Sequence, residues 1–202
     1  MIFAYNKAHV GDTLLVMMAD DQGLEQTVER KFNIAQIKNS AGTIVGWNFF
    51  HVSEFLELTG NGAISLTDEQ IDLLNEKLAI SGFSEKLPYD HEPHFVVGFV
   101  KSCVPHPDSD HLSITETEVD NGEVLQIVCG APNIREGLKV VVAKPGTMMP
   151  DGMLIWPGVL RGIESYGMIC SAKELELPNA PQKKGILELS QDAVVGSEFK
   201  RA

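Results

Sequence analysis

The sequence contains little that would support a secreted or membrane-spanning protein. Its three cysteines, Cys103, Cys129 and Cys170, are an odd number at wide spacings, which excludes a disulfide framework and a C-x-x-C zinc motif. The longest apolar run, residues 14–19, is far shorter than the roughly 20 residues that a membrane-spanning helix needs. The first residues also lack the basic region and apolar core of a secretory signal. We therefore expect a soluble, cytoplasmic protein with no membrane partner.

Basic residues are scarce. The 202 residues include 16 Lys and Arg against 28 Asp and Glu, so the formal net charge is −12. Such a chain repels phosphates and anionic lipids, which argues against a nonspecific nucleic-acid coat protein and a polybasic membrane-surface binder. The charge is uneven, because residues 1–93 carry 6 basic and 14 acidic groups whereas residues 94–202 carry 10 and 14. A local RNA site in the second half is compatible with this acidity.

The motifs of the common catalytic classes are missing as well. Neither G-x-x-x-x-G-K-[ST] nor G-x-G-x-x-G occurs, so nucleotide hydrolysis and dinucleotide binding have no support. The stretch around Ser165 superficially resembles the nucleophile elbow of hydrolases. However, Ile163 stands where that motif needs glycine, and no histidine follows the serine. We therefore expect no enzymatic activity.

What is present divides the chain into two halves. The polar, proline-punctuated run at residues 84–94 is typical of a linker. It separates an N-terminal domain, residues 1–90, from a C-terminal domain, residues 94–202. The first has the signals of a small α+β domain and the second those of an all-β domain.

Strand signals of the first domain are short. Residues 13–18 are an apolar run that fits a buried strand, and residues 31–37 alternate polar and apolar side chains with period 2. Turn-forming residues 39–42 precede a β-branched and aromatic segment, residues 43–50. The two segments that flank this turn predict a hairpin.

One helix is predicted in the first domain. Thr67 as N-cap with Gln70 three residues later forms a capping box, and Gly82 suits the helix end. Its apolar stripe consists of Ile71, Leu74 and Leu78. Nothing in this domain assembles a nucleophile, a metal cage or a phosphate loop, so its role is unassigned.

The second domain is dominated by strand signals. Residues 95–100, 112–119 and 123–129 read as strands, and the last two flank a hairpin turn at residues 120–122. Further short apolar segments broken by glycine and proline follow from residue 138 onward. About five short strands in this length predict a small closed barrel rather than a sandwich.

Three motifs in the second domain carry a family resemblance. Residues 106–112 read His-Pro-Asp-Ser-Asp-His-Leu, residues 126–133 read Gln-Ile-Val-Cys-Gly-Ala-Pro-Asn, and a third motif spans residues 160–171. In this order they resemble the EMAP-II-like tRNA-binding domain, the OB-fold domain near the N-terminus of the bacterial phenylalanyl-tRNA synthetase β chain. The similarity covers about residues 94–199.

The organisation of the whole chain narrows this resemblance. Ending at Ala202, the chain lacks what a synthetase β chain needs beyond this domain. A short α+β domain followed by an OB domain instead resembles the free-standing YtpR-type tRNA-binding proteins. The expected fold is therefore a β-rich two-domain protein, a small α+β domain followed by an OB-fold β-barrel. The resemblance implies a non-enzymatic protein that binds tRNA or another structured RNA.

Candidate RNA-binding residues come from the same resemblance. It implies a binding face around Asn133, Arg161, Ser165 and Met168, although Met168 suits core packing equally well. An OB face presents amides, hydroxyls and apolar or aromatic platforms to unstacked bases while a few cations hold phosphates. The full predicted set is Asn133, Arg135, Lys144, Arg161, Ser165, Tyr166, Met168, His106 and His111.

The loop from His106 to His111 has an alternative interpretation. Two histidines that flank Asp108 and Asp110 offer nitrogen and oxygen donors to a divalent metal. The same residues are good loop formers, because Pro107 fixes φ and the aspartates bond to their own backbone. The loop interpretation is favoured, so we expect no metal and no cofactor.

Departures from the family pattern bear on affinity and on a second hypothesis. Pro105 and His111 stand where relatives often carry lysine, and residues 154–159 contain none. We therefore expect weak binding dominated by shape and stacking.

The alternative is an adaptor on an OB scaffold that docks a protein of translation through Trp156 or the acidic first domain and binds no RNA. A monomer is the expected oligomeric state.

Overall fold

The computed structural model describes residues 1–120 and 122–200. This part of the chain contains strands β1 to β15 and one α-helix, so the protein is β-rich. It divides into two compact units, Met1–His91 and Glu92–Ala202. The predicted turn at residues 120–122 includes Asn121, which lies outside the described residues.

A six-stranded antiparallel sheet forms the first unit. Its order is β3-β4-β5-β2-β1-β6. The strands are β1 Ile2–Tyr5, β2 Thr13–Met17, β3 Gln26–Lys31, β4 Ile34–Asn39, β5 Ile44–Phe50 and β6 Gly62–Ile64. The predicted strand at residues 13–18 and the hairpin around residues 39–42 are confirmed.

The prediction of one strand over residues 31–37 is wrong. Lys31 ends β3 and Ile34 begins β4, and these two residues pair across a two-residue turn. The first turn residue, Phe32, has φ +52°, a left-handed conformation that interrupts an extended strand. Two hairpins in succession therefore replace the single hairpin expected from the sequence.

The predicted helix is confirmed as α1, Asp68–Ile80. The Thr67 hydroxyl accepts from the Gln70 backbone N–H and the Gln70 side chain accepts from the Thr67 N–H, which completes the capping box. Gly82 follows with φ +84°. The helix packs on one face of the sheet through the predicted stripe, and the shared core also includes Phe3, Tyr5, Leu14, Val16, Ile34, Trp47 and Phe49.

Part of the predicted linker is packed onto the first unit. Leu87 is buried in the core of that unit, and the Asn75 side chain bonds to both its N–H and its carbonyl. The Met1 amino group lies 3.0 Å from the Asp90 carboxylate. Residues 87–90 are therefore an ordered part of the first unit.

The second unit is built on a five-stranded antiparallel sheet of order β15-β10-β7-β8-β9. Its strands are β7 Phe95–Pro105, β8 Ser113–Asp120, β9 Glu123–Cys129, β10 Lys139–Ala143 and β15 Met168–Ile169. Two small hairpins lie between β10 and β15. They are β11 Thr147–Met148 with β12 Leu154–Ile155, and β13 Gly158–Leu160 with β14 Ile163–Ser165.

One short segment connects the two edges of this sheet. Met168 and Ile169 pair with β10 at one edge, while the Tyr166 N–H donates to the Gln126 carbonyl of β9 at the other, at 2.8 Å. Gly167 lies between them with φ +120°, and a Cβ there would stand 2.8 Å from the Ala143 carbonyl oxygen. The closure of the sheet toward a barrel thus requires glycine at this position.

Helix α1 has 13 residues. Within the described residues no helix is long and apolar enough to cross a membrane.

Candidate nucleic-acid interface

The β13–β14 hairpin presents Arg161 at its tip. Leu160 pairs with Ile163, so Arg161 and Gly162 are the two turn residues, and both have positive φ, +46° and +82°. Two-residue hairpin turns of this kind favour Asn-Gly or Gly-Gly. An arginine in the left-handed region costs about 1–2 kcal/mol.

Arg161 is exposed and its charge is not neutralised within the described residues. Its Nη1 donates to the Asp108 carbonyl oxygen at 2.9 Å, which fixes the guanidinium against the loop of residues 105–112. No carboxylate of the described residues lies within ion-pair distance of it. The remaining donors of the planar guanidinium are therefore available to a phosphate or a base.

His106 has a structural role within the second unit, and a contact of this residue with RNA stays a prediction. It is 3 % exposed. Its Nδ1 accepts from the Asp108 N–H at 3.0 Å, and its Nε2 lies 3.3 Å from the Leu160 carbonyl oxygen. An acceptor Nδ1 leaves the proton on Nε2, so the ring donates to Leu160. His106 ties the loop to the hairpin that carries Arg161.

Ser165 is also interior, and its contact with RNA likewise stays a prediction. It is 5 % exposed. Its hydroxyl accepts from the Val128 N–H at 3.1 Å and donates to the Gly167 carbonyl at 3.4 Å. Because both roles of the hydroxyl are filled, Ser165 holds β14 against β9.

Tyr166 is partly buried beside the hairpin. Its hydroxyl donates to the Glu164 carboxylate at 2.7 Å, and this hydrogen bond raises the pKa of the phenol. The backbone N–H is used by Gln126. Tyr166 is therefore positioned next to the Arg161 hairpin, but with a carboxylate at its polar end.

Asn133 and Arg135 form a second cluster around Glu188. The Asn133 amide donates to the Ile186 carbonyl and to Glu188 Oε1, and it accepts from the Ile186 N–H. Arg135 donates two bonds to Glu188, at 3.0 and 2.8 Å. These bonds, led by that of Arg135, hold the pKa of Glu188 below its ordinary value and raise that of Arg135. Both predicted side chains hold the C-terminal segment to the second unit, and their contact with RNA stays a prediction.

The other three predicted residues are dispersed. Lys144 is largely buried, with its Nζ 2.9 Å from Glu92 and 4.0 Å from Glu123, and its contact with a phosphate stays a prediction. Met168 in β15 is partly buried and packs on a core cluster. His111 is exposed and lies 2.8 Å from Asp110, whose carboxyl pKa it lowers by hydrogen bonding.

Three lysines outside the predicted set carry free positive charge. Lys173, Lys183 and Lys184 are exposed and form no ion pair with the described residues. The Lys-Lys pair precedes Gly185, whose backbone lies against the Asn133 amide. The sequence signal that could have identified Lys183 and Lys184 as candidate phosphate contacts is a basic dipeptide in a loop that contains proline.

The described residues contain no cluster that could bind a metal ion, and their two buried cysteines are not reactive thiols. No group of three or more His, Cys, Asp or Glu among them could hold a metal ion. Cys129 and Cys170 are buried. Burial raises the pKa of both thiols, that of Cys170 to about 12, so these cysteines stay protonated and unreactive.

The second unit matches a nucleic-acid-binding domain class. Residues 95–198 match the family model described as "Putative tRNA binding domain", and residues 21–90 match a "Domain of unknown function (DUF4479)". Over 197 residues the chain is 45 % identical to the "Putative tRNA-binding protein YtpR" of Bacillus subtilis (strain 168), and this similarity covers 97 % of the chain and 98 % of that protein. The chain therefore belongs to the YtpR family, as the sequence motifs predicted.

Similarity to a synthetase subunit covers part of this chain and a small part of the subunit. The "Phenylalanine--tRNA ligase beta subunit" of Acinetobacter baylyi is 50 % identical over 105 residues, which cover 52 % of this chain and 13 % of that subunit. The same subunit of Oceanobacillus iheyensis is 56 % identical over 84 residues, 42 % of this chain and 10 % of the subunit. The resemblance to that subunit, predicted from three motifs, is confirmed.

Proposed function

We propose that this protein is a non-enzymatic tRNA-binding protein whose second unit is an OB-fold barrel. The five-stranded antiparallel sheet that the Tyr166–Ile169 segment joins edge to edge supports the OB fold. The family of the chain and the name of its Bacillus subtilis relative support tRNA as the ligand. A cytoplasmic role in translation and a location away from membranes stay predictions.

One observation carries the proposed site: Arg161 occupies a strained hairpin tip with its charge free. Asparagine or glycine would form the same turn at lower conformational cost. Backbone strain of this kind concentrates where a side chain has a function to perform. His106 and Asp108 brace the hairpin and the guanidinium, which reduces the conformational entropy that Arg161 would lose on binding.

The charge distribution supports weak binding with few phosphate contacts. In the second unit Lys101, Arg135 and Lys144 are each paired with a carboxylate. Lys139 forms no ion pair with the residues that the structure describes, but its ammonium donates to the Gln191 and Ala193 carbonyls. Among the described residues of this unit, the exposed cations without an ion pair are Arg161, Lys173, Lys183 and Lys184. Four phosphate contacts to single-stranded RNA would give a salt slope of about −3, and fewer contacts a shallower one.

The adaptor hypothesis has less support. Trp156 is partly buried, so it offers less area to a partner than a free indole would. Val159 and Leu160 are exposed, at 65 % and 41 %, but as neighbours in a strand they point to opposite faces. Val159 and Leu160 therefore do not form the contiguous apolar patch that is typical of protein interfaces.

The test is a titration of the purified full chain with bulk tRNA across a series of KCl concentrations, followed by anisotropy of the labelled tRNA. Arg161→Asn keeps a residue that tolerates positive φ but removes the charge. We expect its affinity to fall and its logarithmic salt slope to be shallower by about 0.7–0.9, the value of one phosphate. Lys101→Gln is the matched control, because Glu118 already neutralises that lysine at 3.7 Å.

Three results would contradict the proposal. Absence of tRNA binding at low salt would refute the function. Binding that is equal in Arg161→Asn and wild type would refute the named site. Equal affinity for duplex DNA would indicate attraction by charge rather than recognition of RNA.

A further inference from the structure

Strand β3 leaves the sheet of the first unit with an open edge. It is the terminal strand of the six, and only β4 pairs with it among the described residues. Residues 26–30 are all exposed, and Val28 is 63 % exposed. An uncovered edge of this length presents unpaired backbone donors and acceptors to another strand.

Two of the usual protections of an edge strand, a β-bulge and a proline, are lacking here. The β3–β4 ladder runs through six pairs without a bulge, and β3 contains no proline. Its two basic side chains are folded back onto their own unit. The Arg30 guanidinium lies 4.4 Å from the Phe50 ring centre and the Lys31 ammonium 4.3 Å from that of Phe83.

Backbone alternation decides which groups the edge presents. Lys31 and Ile34 close the two-residue turn, so they form a hydrogen-bonded pair, and alternate residues of β3 bond to β4. The N–H and C=O groups of Gln26, Val28 and Arg30 therefore point away from β4. A second strand added antiparallel in two-fold symmetry must bond to these three residues.

We propose that this edge pairs with β3 of a second copy of the chain, with the two-fold axis at Val28. This register places Val28 opposite Val28, Gln26 opposite Arg30, and Glu25 opposite Lys31. The Lys31 ammonium already lies 3.0 Å from Glu29 and donates to the Gly82 carbonyl, so Glu25 of the other copy would add a second carboxylate beside it. Cross-strand apolar and opposite-charge pairs each stabilise an antiparallel ladder. Just beyond the strand, the exposed Leu24 and the 81 % exposed Phe32 come to lie opposite each other.

The two neighbouring symmetric registers are disfavoured by charge. With the axis at Thr27, Glu25 would face Glu29 twice, and with the axis at Glu29, that residue would face its own copy. Like charges directly opposite each other destabilise a ladder. The complementarity about Val28 is the reason for choosing a second copy as the partner. The monomer expected from the sequence is the opposite outcome of the test.

The first experiment measures mass and proximity with the full chain. Sedimentation equilibrium of the wild type should give a mass that rises with concentration toward twice that of the monomer. Val28→Cys should form an interchain disulfide under mild oxidation, because a hydrogen-bonded antiparallel pair has Cα atoms about 5.5 Å apart, within the disulfide range. Val194→Cys, a valine 69 % exposed in the second unit, is the control and should not form an interchain disulfide under the same oxidation.

Charge exchange tests the register. Glu25→Lys and Lys31→Glu should each raise the dimer dissociation constant by about tenfold, and the double variant should restore it. Circular dichroism of each variant verifies the fold. A monomer at every concentration, a dimer with no Val28→Cys cross-link above the control, or a double variant as weak as the single ones would overturn the proposal.

Discussion

Replacing Asn133 with alanine should destabilise the second unit while leaving RNA affinity of the folded protein unchanged. The resemblance to tRNA-binding domains implied that this side chain contacts RNA, whereas the structure uses all of its amide within the chain. It bonds to the Ile186 carbonyl at 3.1 Å, to the Ile186 N–H at 2.9 Å and to Glu188 at 2.9 Å. A structural role predicts a loss of stability, whereas an RNA contact predicts a loss of tRNA affinity.

The size of the effect follows from what is left unpaired. Ile186 is 8 % exposed, so alanine at position 133 strands a buried N–H and a buried carbonyl. Each unsatisfied buried group costs about 1–3 kcal/mol, which gives roughly 2–6 kcal/mol for the pair. In a unit of this size we expect the melting temperature to fall by roughly 10 °C or more.

The assay combines unfolding with binding. Thermal and urea unfolding, followed by circular dichroism, give the stability, and the tRNA titration is then made well below the melting temperature. Gln182→Ala is the control, because it removes an exposed amide from the segment just before Gly185 and should change neither quantity. A variant with wild-type stability and reduced tRNA affinity would refute the structural role and restore Asn133 to the binding face.

Three further predictions concern the barrel. Ser165→Ala leaves the buried Val128 N–H without an acceptor and should lower the free energy of unfolding by about 1–3 kcal/mol in urea. An unchanged urea midpoint would contradict that bond. Gly167→Ala combines φ +120° with a Cβ 2.8 Å from a backbone oxygen, so soluble yield and melting temperature should both fall, whereas a wild-type melting curve would argue against the closure. The pKa of Glu188 is held below its ordinary 4.5, first by Arg135. Its contribution to stability is therefore full above that value and lost as the pH falls through the lower folded pKa. Urea unfolding from about pH 3 to pH 7 should show a smaller loss in Arg135→Gln than in the wild type, and parallel profiles would contradict the pairing.

Local signals predicted the local structure well. The capping box at Thr67 and the apolar stripe of the helix depend on residues within one or two turns, and both are present. The alternating segments of β8 and β9 pair as expected. By contrast, β3 was missed because its exposed residues, Gln-Thr-Val-Glu-Arg-Lys, lack the period-2 apolar pattern that a half-buried strand shows.

Polar residues in the binding motifs were the least predictable part. A histidine, a serine or an asparagine in a surface motif has the same chemistry whether it binds RNA or a neighbouring strand. Only the partners decide, and these partners are distant: Ser165 bonds a residue 37 positions away, and Asn133 one that is 55 positions away. His106 likewise reaches the hairpin 54 positions later.

The sequence by itself determined the family, the β-rich character of the chain and the helix with its caps. These depend on motif order and short-range pattern, which a single chain displays directly. The tertiary structure alone decided which candidate side chains are available. It buries His106 and Ser165, pairs Arg135 and Lys144 with carboxylates, and leaves Arg161 free at a strained turn. The physical reason is that hydrogen bonds and ion pairs are satisfied across long sequence separations. In a chain with a net charge of −12, few cations are left unpaired, and this limits the number of phosphates that the proposed site can hold.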